Sequence, residues 1–308
     1  MVNRSEQIDS IADCVTGIIV TFNPDIKQLN KLIDTVTSQV QHLLIVDNDS
    51  HADIDIATTF TERAGIELIS LSENFGIAKA QNIGIERAKT IGTDYVLLLD
   101  QDSLPAPNMV SELLKVAKTL EEKGVHVAGI GPSYTDVRQG EAAAFVYLDG
   151  CRLKRRENLS LDGFVEADFL IASGCLTPIE SFDAIGLLND DMFIDYVDIE
   201  WGLRARQQGY YCFGAFNAKM EHSLGDQWTE FHDRHIPVHS PLRHYYHFRN
   251  AVWLCRRPWL SFSWKVALFW RLVRQYLFFT FFVQEGKSHA RMMSLGIWHG
   301  FINRMGRK

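Results

Sequence analysis

The first half of this chain alternates short β-branched apolar runs with helix-like patterns, and this alternation restricts the possible folds more than any other feature. Strand-like runs occupy residues 15–22, 42–47, 66–71, 95–99 and 125–131. Helix-like segments, with apolar residues three and four positions apart, lie between them at residues 26–38, 54–64, 77–88 and 108–123. This series predicts an α/β fold, in which a mostly parallel, Rossmann-like sheet is flanked by helices.

The pattern changes twice in the second half of the chain. After Gly131 the apolar runs become shorter, and a helix is predicted over residues 198–208, ended by Gly209. From Pro258 onward the sequence is rich in Trp and Phe. We therefore predict an α/β domain over residues 1–257 and a C-terminal aromatic helical segment over residues 258–308.

The net charge and the cysteines narrow the class of protein. A net charge of −7 argues against a nucleic-acid-binding protein, because such proteins need a basic surface to neutralise phosphates. The five cysteines are scattered and form no C-x-x-C pair, which is typical of a reducing compartment. Residues 1–14 lack the basic start and apolar run of a signal peptide. These features predict a cytoplasmic protein with no nucleic-acid partner.

Polar groups follow each of the first four predicted strands, at the edge where α/β sheets bind their ligands. The fourth group, Asp100-Gln101-Asp102, places two carboxylates directly after an apolar strand. Mg²⁺ or Mn²⁺ is typically held by one or two protein oxygens, while substrate phosphates and water complete the coordination shell. A D-x-D sequence by itself is more often a solvated turn, but its position after a strand favours a metal site here.

The ordered set of motifs resembles the inverting family 2 glycosyltransferases, which have the GT-A fold, and in particular the bacterial rhamnosyltransferases. The likeness covers residues 15–250. The motifs that carry it are Val20-Thr21-Phe22-Asn23, Val46-Asp47-Asn48-Asp49-Ser50, Asn74-Phe75-Gly76, Ala80-Gln81-Asn82-Ile83-Gly84, Asp100-Gln101-Asp102, Gly174, Asp198-Ile199-Glu200 and His222. The resemblance implies a nucleotide-sugar donor and a saccharide acceptor, with residues 1–257 as the GT-A domain.

The resemblance assigns several of these residues to the donor. Thr21 and Asn23 are expected to line the nucleotide pocket, and Asp47 to accept a hydrogen bond from the pyrimidine ring. A carboxylate suits the imide N–H that uracil and thymine share and cytosine lacks. The remaining residues assigned to donor binding are Asn74 and Gly76, beside the ribose and the pyrophosphate, together with Asn82 and Asp100.

Three further assignments concern the metal and the phosphates. The resemblance implies that Asp102 and His222 hold the divalent cation, and neutral imidazole is a competent ligand for Mn²⁺. Arg249, followed by Asn250, resembles a late family motif. It is expected either to contact the donor phosphates or to hold the C-terminal segment in place.

An acidic cluster around the predicted helix start at residue 198 supplies the catalytic candidates. Direct displacement at an anomeric carbon requires a carboxylate that removes the proton of the acceptor hydroxyl. Family precedent places that base in a Glu-Asp pair, which here reads Val197-Asp198. We therefore expect Asp198 to be the base, with Asp195 as the fallback. Helix capping by Asp195 or Asp198 is the structural alternative.

The acceptor side is assigned two residues, Gly174 and Glu200. The absence of a side chain at Gly174 would make room for the incoming sugar. Glu200 or Asp195 would tune the pKa of Asp198. A structural alternative for Glu200 is an i,i+4 ion pair with Arg204.

The segment that follows Pro258 contains ten Trp, Phe and Tyr residues up to Val283, interrupted by Lys265, Arg271 and Arg274. Three cations make insertion across a membrane costly, whereas aromatic and basic residues together suit a helix at the membrane interface. We expect a peripheral position on the inner face of the cytoplasmic membrane. Packing on the enzyme core or in a homodimer is the alternative.

These observations together predict a metal-dependent inverting glycosyltransferase. The resemblance favours transfer of L-rhamnose from dTDP-β-L-rhamnose to a saccharide acceptor in cell-surface polysaccharide of the O-antigen kind, carried on a polyprenyl diphosphate lipid. Three alternatives stay open: a UDP-hexose-dependent transferase of the same fold, a nucleotidyltransferase, and an inactive nucleotide-binding scaffold.

Overall fold

The computed structural model describes residues 13–51, 65–136, 145–156, 163–222, 227–231 and 234–308. For residues 136, 222, 227–231 and 234–238 it describes the backbone only. The helix predicted over residues 54–64 lies outside the described residues.

A central sheet forms the middle layer of the molecule. Its first four strands are β1 (Val15–Thr21), β2 (His42–Asp47), β3 (Ile66–Ser70) and β4 (Tyr95–Asp100). They are mutually parallel and stand in the order β3-β2-β1-β4. Their carboxyl ends therefore share one edge of the sheet, which is the edge that carries the predicted motifs.

The rest of the sheet is mixed. Its strands are β5 (Ser103–Pro105), β6 (Val127–Asp136), β9 (Phe164–Ala167), β10 (Leu176–Pro178) and β11 (Tyr211–His222). Beyond β4 the order continues β10-β6-β11-β5, and β9 also pairs with β11. Two hairpins lie apart from the sheet, formed by β7 (Phe145–Asp149) with β8 (Arg152–Arg156) and by β12 (Gln227–Phe231) with β13 (Arg234–Val238).

Among the described residues, five helices belong to the α/β part: α1 (Ile26–Val36), α2 (Ile77–Ile91), α3 (Met109–Glu122), α4 (Ile179–Ile185) and α5 (Val197–Gln207). Helix α1 shows why they form. The Asp25 side chain caps its first turn by accepting from the Lys27 and Gln28 amides. Leu29, Leu32, Ile33 and Val36 recur at helical spacing and are buried against the sheet.

Three more helices follow: α6 (Pro241–Cys255), α7 (Phe262–Phe281) and α8 (Gly286–Phe301). Helices α6 and α8 pack closely because two glycines of α8 face the α6 backbone. A Cβ at Gly296 would lie 2.4 Å from the Tyr245 oxygen, and one at Gly300 would lie 2.6 Å from the Arg249 oxygen. Trp264, Leu268, Leu272, Phe279 and Met293 join the same buried cluster as the sheet.

One face of α7 is buried and the opposite face is exposed. Phe262, Phe269, Trp270, Leu277 and Phe281 are all exposed, and we call this set the α7 stripe. Among the described residues, no helix is long and apolar enough to cross a bilayer.

The α/β fold predicted from the alternating pattern is confirmed: a mostly parallel sheet lies between helices, and an aromatic helical segment follows it. Most element bounds agree within a few residues. The largest difference is at β6, which continues to Asp136, whereas the apolar run that predicted it ends at Gly131.

Candidate active site

The loops that follow β1 to β4 are joined by side-chain hydrogen bonds, and we call residues 21–23, 47–50, 74–76 and 100–102 the donor edge. Asp47 is central to it. The Thr21 hydroxyl donates to Asp47 Oδ1 at 2.8 Å, and the Ser50 hydroxyl donates to the same oxygen at 2.6 Å. The buried Thr21 therefore orients Asp47, while Asp47 itself remains partly exposed.

Asn23 connects the first loop of the donor edge to the second. Its backbone N–H donates to the Ser50 hydroxyl at 2.8 Å, and its side-chain oxygen accepts from the His51 amide at 2.8 Å. Asn23 has a φ of 48° and Asp49 a φ of 68°, values that Asn and Asp tolerate better than most residues. The two loops therefore hold each other in tight turns beside Asp47.

The third loop is fixed by Asn48 and Asn74. The Asn48 amide donates to Asn74 Oδ1 at 3.1 Å and accepts from the Phe75 N–H at 3.0 Å. Asn74 Oδ1 also accepts from the Gly76 N–H at 2.9 Å. The side chain of Asn74 thus shapes its own loop, immediately before the start of α2.

Asp100 and Gln101 tie the fourth loop to its neighbours. The side chain of Gln101 accepts from the Phe22 N–H at 2.8 Å and donates to the Phe22 carbonyl at 3.2 Å. The Asp100 N–H donates to the Ser173 hydroxyl at 3.0 Å. These contacts place Asp100 between the end of β1 and the segment that contains Gly174.

Gly174 needs its glycine for local reasons. Its φ is 80°, and an added Cβ would lie 2.6 Å from a Pro132 carbon and 2.9 Å from the Met220 sulfur. The packing of the protein itself therefore accounts for this glycine. Room for an acceptor at this position stays a prediction.

The two predicted metal ligands lie beside the adjacent strands β5 and β11. Asp102 is exposed in the turn between β4 and β5, and the next residue, Ser103 of β5, pairs with His222 of β11. The His222 side chain lies outside the described part of the structure. Within that part, no three His, Cys, Asp or Glu side chains are grouped to hold a metal. The pair Asp102 and His222 fits Mg²⁺ or Mn²⁺, because these cations take one or two protein ligands and complete their coordination shell with phosphate and water oxygens.

Gly76 is the point at which the donor edge meets the acidic segment before α5. Its φ is 87°, and a Cβ there would lie 2.5 Å from the Phe193 oxygen. The next amide, that of Ile77, donates to this same oxygen at 2.8 Å. Glycine is therefore required so that Phe193 can approach. The Phe193 ring stacks on Tyr246 with 4.9 Å between centroids.

Asp198 lies in the first turn of α5 and is partly buried. It borders a small cavity whose walls include Leu98, Cys175 and Trp201. Burial raises the pKa of Asp198 to about 6, and the nearby charges of Asp195 and Asp100 act in the same direction. Such a carboxyl is ionised at neutral pH and has a pKa well placed to accept a proton. The structure thus brings Asp198 close to the D-x-D motif.

Asp195 belongs to an unusual segment of backbone, and we call residues 192–196 the base loop. Phe193, Asp195 and Tyr196 have φ values of 66°, 65° and 67°. The carboxylate of Asp195 forms an ion pair with Arg243, at 3.4 Å. Asp195 therefore has a cationic partner, whereas the Asp198 carboxylate accepts from the backbone amide that follows it, at 2.8 Å.

Arg249 takes the second of its two predicted roles. It is fully buried, and its guanidinium donates to the Met192 carbonyl at 2.8 Å, to the Asp191 carbonyl at 3.2 Å and to the Gly306 carbonyl. It also lies over the Tyr246 ring, 4.9 Å from the centroid. Arg249 holds the C-terminal residues and the base loop to α6, and a contact with the donor phosphates stays a prediction.

The C-terminal residues return to the donor edge. The Gly306 amide donates to the Asp191 carbonyl at 2.8 Å, and the Lys308 amide donates to the Tyr246 hydroxyl at 2.9 Å. Arg307 donates to the Asn74 carbonyl at 3.2 Å and lies 3.4 Å from Glu73. The sequence did not predict these contacts.

Asn82 and Glu200 are both buried and have structural partners. The Asn82 amide donates to the Leu188 carbonyl at 2.8 Å and accepts from the Leu188 N–H at 3.1 Å. Glu200 forms the ion pair with Arg204 that the i,i+4 spacing suggested, at 2.8 Å. These contacts give both residues a structural role, and the donor role of Asn82 and the acceptor-side role of Glu200 stay predictions.

The sequence analysis missed four residues that shape the site: Asn48, Gln101, Arg243 and Asn250. Asn48 and Gln101 lie inside motifs that were already recognised, so their position next to Asp47 and Asp100 was an available signal. Arg243 and Asn250 reach the base loop from a helix far along the chain. Asn250 also lies inside a recognised motif, beside Arg249, but its contacts with the base loop and those of Arg243 are visible only in the tertiary fold.

Comparison with known proteins identifies the family. The sequence profile of glycosyl transferase family 2 matches residues 16–182. The dTDP-rhamnosyl transferase RfbF of Shigella flexneri is 32% identical over 249 residues, which are 79% of this chain and 80% of that protein.

Two solved structures show a similar fold. GalNAc-T7, crystallised with UDP, GalNAc and Mn²⁺, has a TM-score of 0.59 at 13% identity, covering 96% of this chain and 57% of its own. S. aureus TarS has a TM-score of 0.56 at 12% identity, covering 88% of this chain and 46% of its own. The chain thus spans about half the length of these two proteins. At such identities the likeness concerns the fold alone, and the predicted GT-A fold is confirmed. Together with the profile match and the RfbF alignment, it shows that this chain is a glycosyltransferase belonging to glycosyl transferase family 2.

Proposed function

We propose that this glycosyltransferase is an inverting enzyme that moves L-rhamnose from dTDP-β-L-rhamnose to a saccharide acceptor in bacterial cell-surface polysaccharide of the O-antigen kind. The relative named as a dTDP-rhamnosyl transferase supports the choice of sugar and nucleotide. The observation that carries the mechanism is the partly buried position of Asp198, close enough to Asp100 for that charge to help raise the pKa of Asp198. A carboxyl group able to accept a proton therefore lies next to the donor edge.

Asp198 would act as the general base. Its carboxylate removes the proton of an acceptor hydroxyl, and the oxygen attacks the anomeric carbon. The bond between that carbon and the diphosphate breaks, and dTDP leaves with the electron pair. Because the attack comes from the face opposite the diphosphate, a β-linked donor gives an α-linked product.

The donor edge would bind the nucleotide. Asp47, fixed by Thr21 and Ser50, offers a carboxylate oxygen to the imide N–H of thymine. Asn23 lies beside it, and the loop that contains Asn74 and Gly76 leads into the amino end of α2. The positive end of the helix dipole favours phosphate oxygens, so the diphosphate is expected there.

A divalent cation, Mg²⁺ or Mn²⁺, would be held by Asp102 and His222 and would neutralise charge on the departing diphosphate. The GalNAc-T7 structure contains Mn²⁺ and has the same fold, which supports a metal of this kind. Asp100 lies two residues before the exposed Asp102, and Ser173 fixes its backbone amide. This fixed backbone would help to orient the metal-binding carboxylate.

Turnover with a panel of nucleotide sugars tests the proposal. We expect transfer from dTDP-β-L-rhamnose, loss of transfer in excess EDTA, and recovery when Mg²⁺ or Mn²⁺ is restored. The Asp102→Asn variant should lose activity at all metal concentrations that saturate the wild type. Transfer from a UDP-hexose alone would change the donor assignment. Nucleotide transfer, or binding without turnover, would favour the nucleotidyltransferase or the inactive scaffold.

We also propose that the acceptor is presented at an anionic membrane surface on a polyprenyl diphosphate lipid. The α7 stripe exposes aromatic side chains, which suit the membrane interface. Residues 258–308 contain eight Lys and Arg residues and a single Glu. Such a segment is attracted to anionic lipid although the chain as a whole is acidic.

Flotation with vesicles tests this second proposal. The wild type should float with phosphatidylglycerol vesicles and much less with phosphatidylcholine vesicles. The Phe269→Ser/Trp270→Ser variant should float less while keeping its nucleotide affinity. Equal flotation of the two proteins would contradict the proposal, and a dimer that the same variant dissociates would assign the stripe to a homodimer.

A further inference from the structure

The base loop has a backbone conformation that its sequence does not favour. Phe193, Asp195 and Tyr196 are left-handed, with φ values between 65° and 67°. None of them is glycine, and positive φ is an unfavourable backbone conformation for residues with a side chain. A segment of this kind persists only where surrounding structure holds it.

Helix α6 provides this support along one face. Arg243, Tyr246 and Asn250 lie three and four positions apart, so they share a face of the helix. Arg243 pairs with Asp195, and Tyr246 stacks on Phe193. The base loop is therefore in contact with α6 over most of its length.

Asn250 makes the most numerous contacts with the loop. It is fully buried, and its side-chain nitrogen lies 2.9 Å from the Met192 oxygen, 2.9 Å from the Ile194 oxygen and 2.8 Å from the Asp195 oxygen. Its side-chain oxygen accepts from Arg249 Nε at 2.9 Å, which fixes the orientation of the amide. One side chain thus gathers three carbonyl groups of the loop.

We propose that Asn250 is a positioning residue of the transfer reaction, which holds the base loop in its left-handed conformation and so presents Asp198 to the acceptor. This inference rests on the proposed role of Asp198 as the base. Helix α5 begins at Val197, two residues after the last carbonyl that Asn250 contacts, and Asp198 is its second residue. The direction in which α5 starts, and hence the position of its first carboxylate, depends on the loop.

Loss of the amide should change catalysis in a specific way. Without it the Ile194 and Asp195 carbonyl groups lose this donor, whereas the Met192 carbonyl keeps Arg249, and the left-handed residues are free to relax. Asp198 then gains water, and its pKa falls towards that of an ordinary carboxyl. The donor edge uses other partners, so nucleotide binding should be nearly unaffected.

The experiment compares Asn250→Ala with a control on the same helix, Leu254→Ala. Leu254 is fully buried in the core and has no hydrogen-bonding side chain. Both variants are assayed at a temperature at which circular dichroism shows them folded. For Asn250→Ala we expect kcat to fall about 10–100-fold, donor KM to change less than about threefold, and the acidic limb of the kcat–pH profile to move to lower pH. For Leu254→Ala we expect a lower Tm with kcat and the acidic limb unchanged.

Wild-type kcat and an unmoved acidic limb in Asn250→Ala would overturn the inference, as would an identical response in Leu254→Ala. If Asn250→Ala does not fold, Asn250→Ser is measured instead, because a hydroxyl keeps one donor. The acidic limb of the kcat–pH profile of Asn250→Ser should lie between the limbs expected for the wild type and for Asn250→Ala. An acidic limb that does not move contradicts the inference. The kcat and KM of each variant are compared with those of the wild type, measured with the nucleotide sugar that the wild type turns over. A wild type that transfers no sugar would count against the proposed function instead.

Discussion

The donor edge and the base loop meet at Gly76, yet they are held in place by different means. At the donor edge the partners all belong to the edge itself: Thr21 and Ser50 bond to Asp47, Asn48 bonds to Asn74, and Gln101 bonds to Phe22. The base loop depends on α6, whose Asn250 lies 55–58 residues from the carbonyl groups it binds. The first region is largely self-supporting, whereas the second takes its conformation from a distant helix.

This difference matters for what each region does. Nucleotide recognition needs groups at fixed positions along a sheet edge, and regular strands supply them. A base must be partly buried so that its pKa rises, and it must still reach a hydroxyl. The proposed base, Asp198, follows the base loop in the chain. The strained backbone of that loop is stabilised by packing against α6 and would set the position of Asp198.

The largest expected effect separates chemistry from donor binding. Asp198→Asn keeps nearly the same size but cannot accept a proton, so kcat should fall about 10²–10⁴-fold. Donor affinity, measured by calorimetry with dTDP, should stay within about twofold. If Asp198→Asn keeps full activity and Asp195→Asn loses activity, Asp195 is the general base instead.

Gly76→Ala should disturb both the donor edge and the base loop, because the added Cβ would force Phe193 away from Gly76. The matched control is Gly186→Ala, since Gly186 has φ 91° and ψ 161° and Gly76 has φ 87° and ψ 164°. A Cβ at Gly186 would meet only the Arg204 side chain, at 3.2 Å, whereas one at Gly76 would strike the Phe193 backbone. Each should lose about 1–3 kcal/mol through strain, and Gly76→Ala should lose more and also lose turnover. Equal losses in denaturant unfolding and unchanged turnover would show that the two regions do not depend on this contact.

The raised pKa of Asp198 predicts a gain in stability when its charge is removed. Above pH 6 the folded protein carries an unfavourable buried charge, and between pH 4 and 6 the folded state binds a proton that the unfolded state does not. Asp198→Asn should therefore be more stable than wild type by about 2 kcal/mol at pH 7, and the difference should vanish near pH 4. Urea unfolding at both pH values measures this. A pH-independent difference would mean that packing, not charge, sets the stability at this site.

The smallest effect concerns the donor edge alone. Thr21→Val removes one hydrogen bond to Asp47, which is worth about 1 kcal/mol, so donor KM should rise roughly fivefold with kcat preserved. Thr16→Val is the control, because Thr16 is buried in the same strand and its hydroxyl has no hydrogen-bond partner in the described part of the chain. That variant should bind donor normally and be as stable as wild type or more so. An equal rise in KM for both variants would indicate a general disturbance of β1.

The contrast between the two regions also explains what the sequence could predict. Strand ends followed by polar groups are local signals, and they are sufficient to locate Asp47, Asn74 and Asp102 on one edge of the sheet. The ion pair of Glu200 with Arg204 was likewise open to prediction, because it follows from helical spacing.

The conformation of the base loop could not be predicted, because Phe193 and Tyr196 are residue types that carry no signal of a left-handed backbone. The partners of Arg249 were also hidden. The sequence offered either donor phosphates or the C-terminal segment, and it did not indicate that the Asp191, Met192 and Gly306 carbonyl groups accept from this guanidinium. Long-range contacts of this kind depend on how α6 packs.

The contact between Arg307 and the Asn74 carbonyl has a consequence for the kinetics of folding. It joins residues 233 positions apart in the chain, and the bond from Arg249 to Gly306 closes a further interval of 57. Contacts so distant in sequence form slowly, because the entropy of closing the intervening chain must be overcome before they contribute any stability. The parallel sheet can assemble from nearer partners. The final shape of the site is therefore expected to appear as a late, slow phase of refolding, after most of the secondary structure has formed.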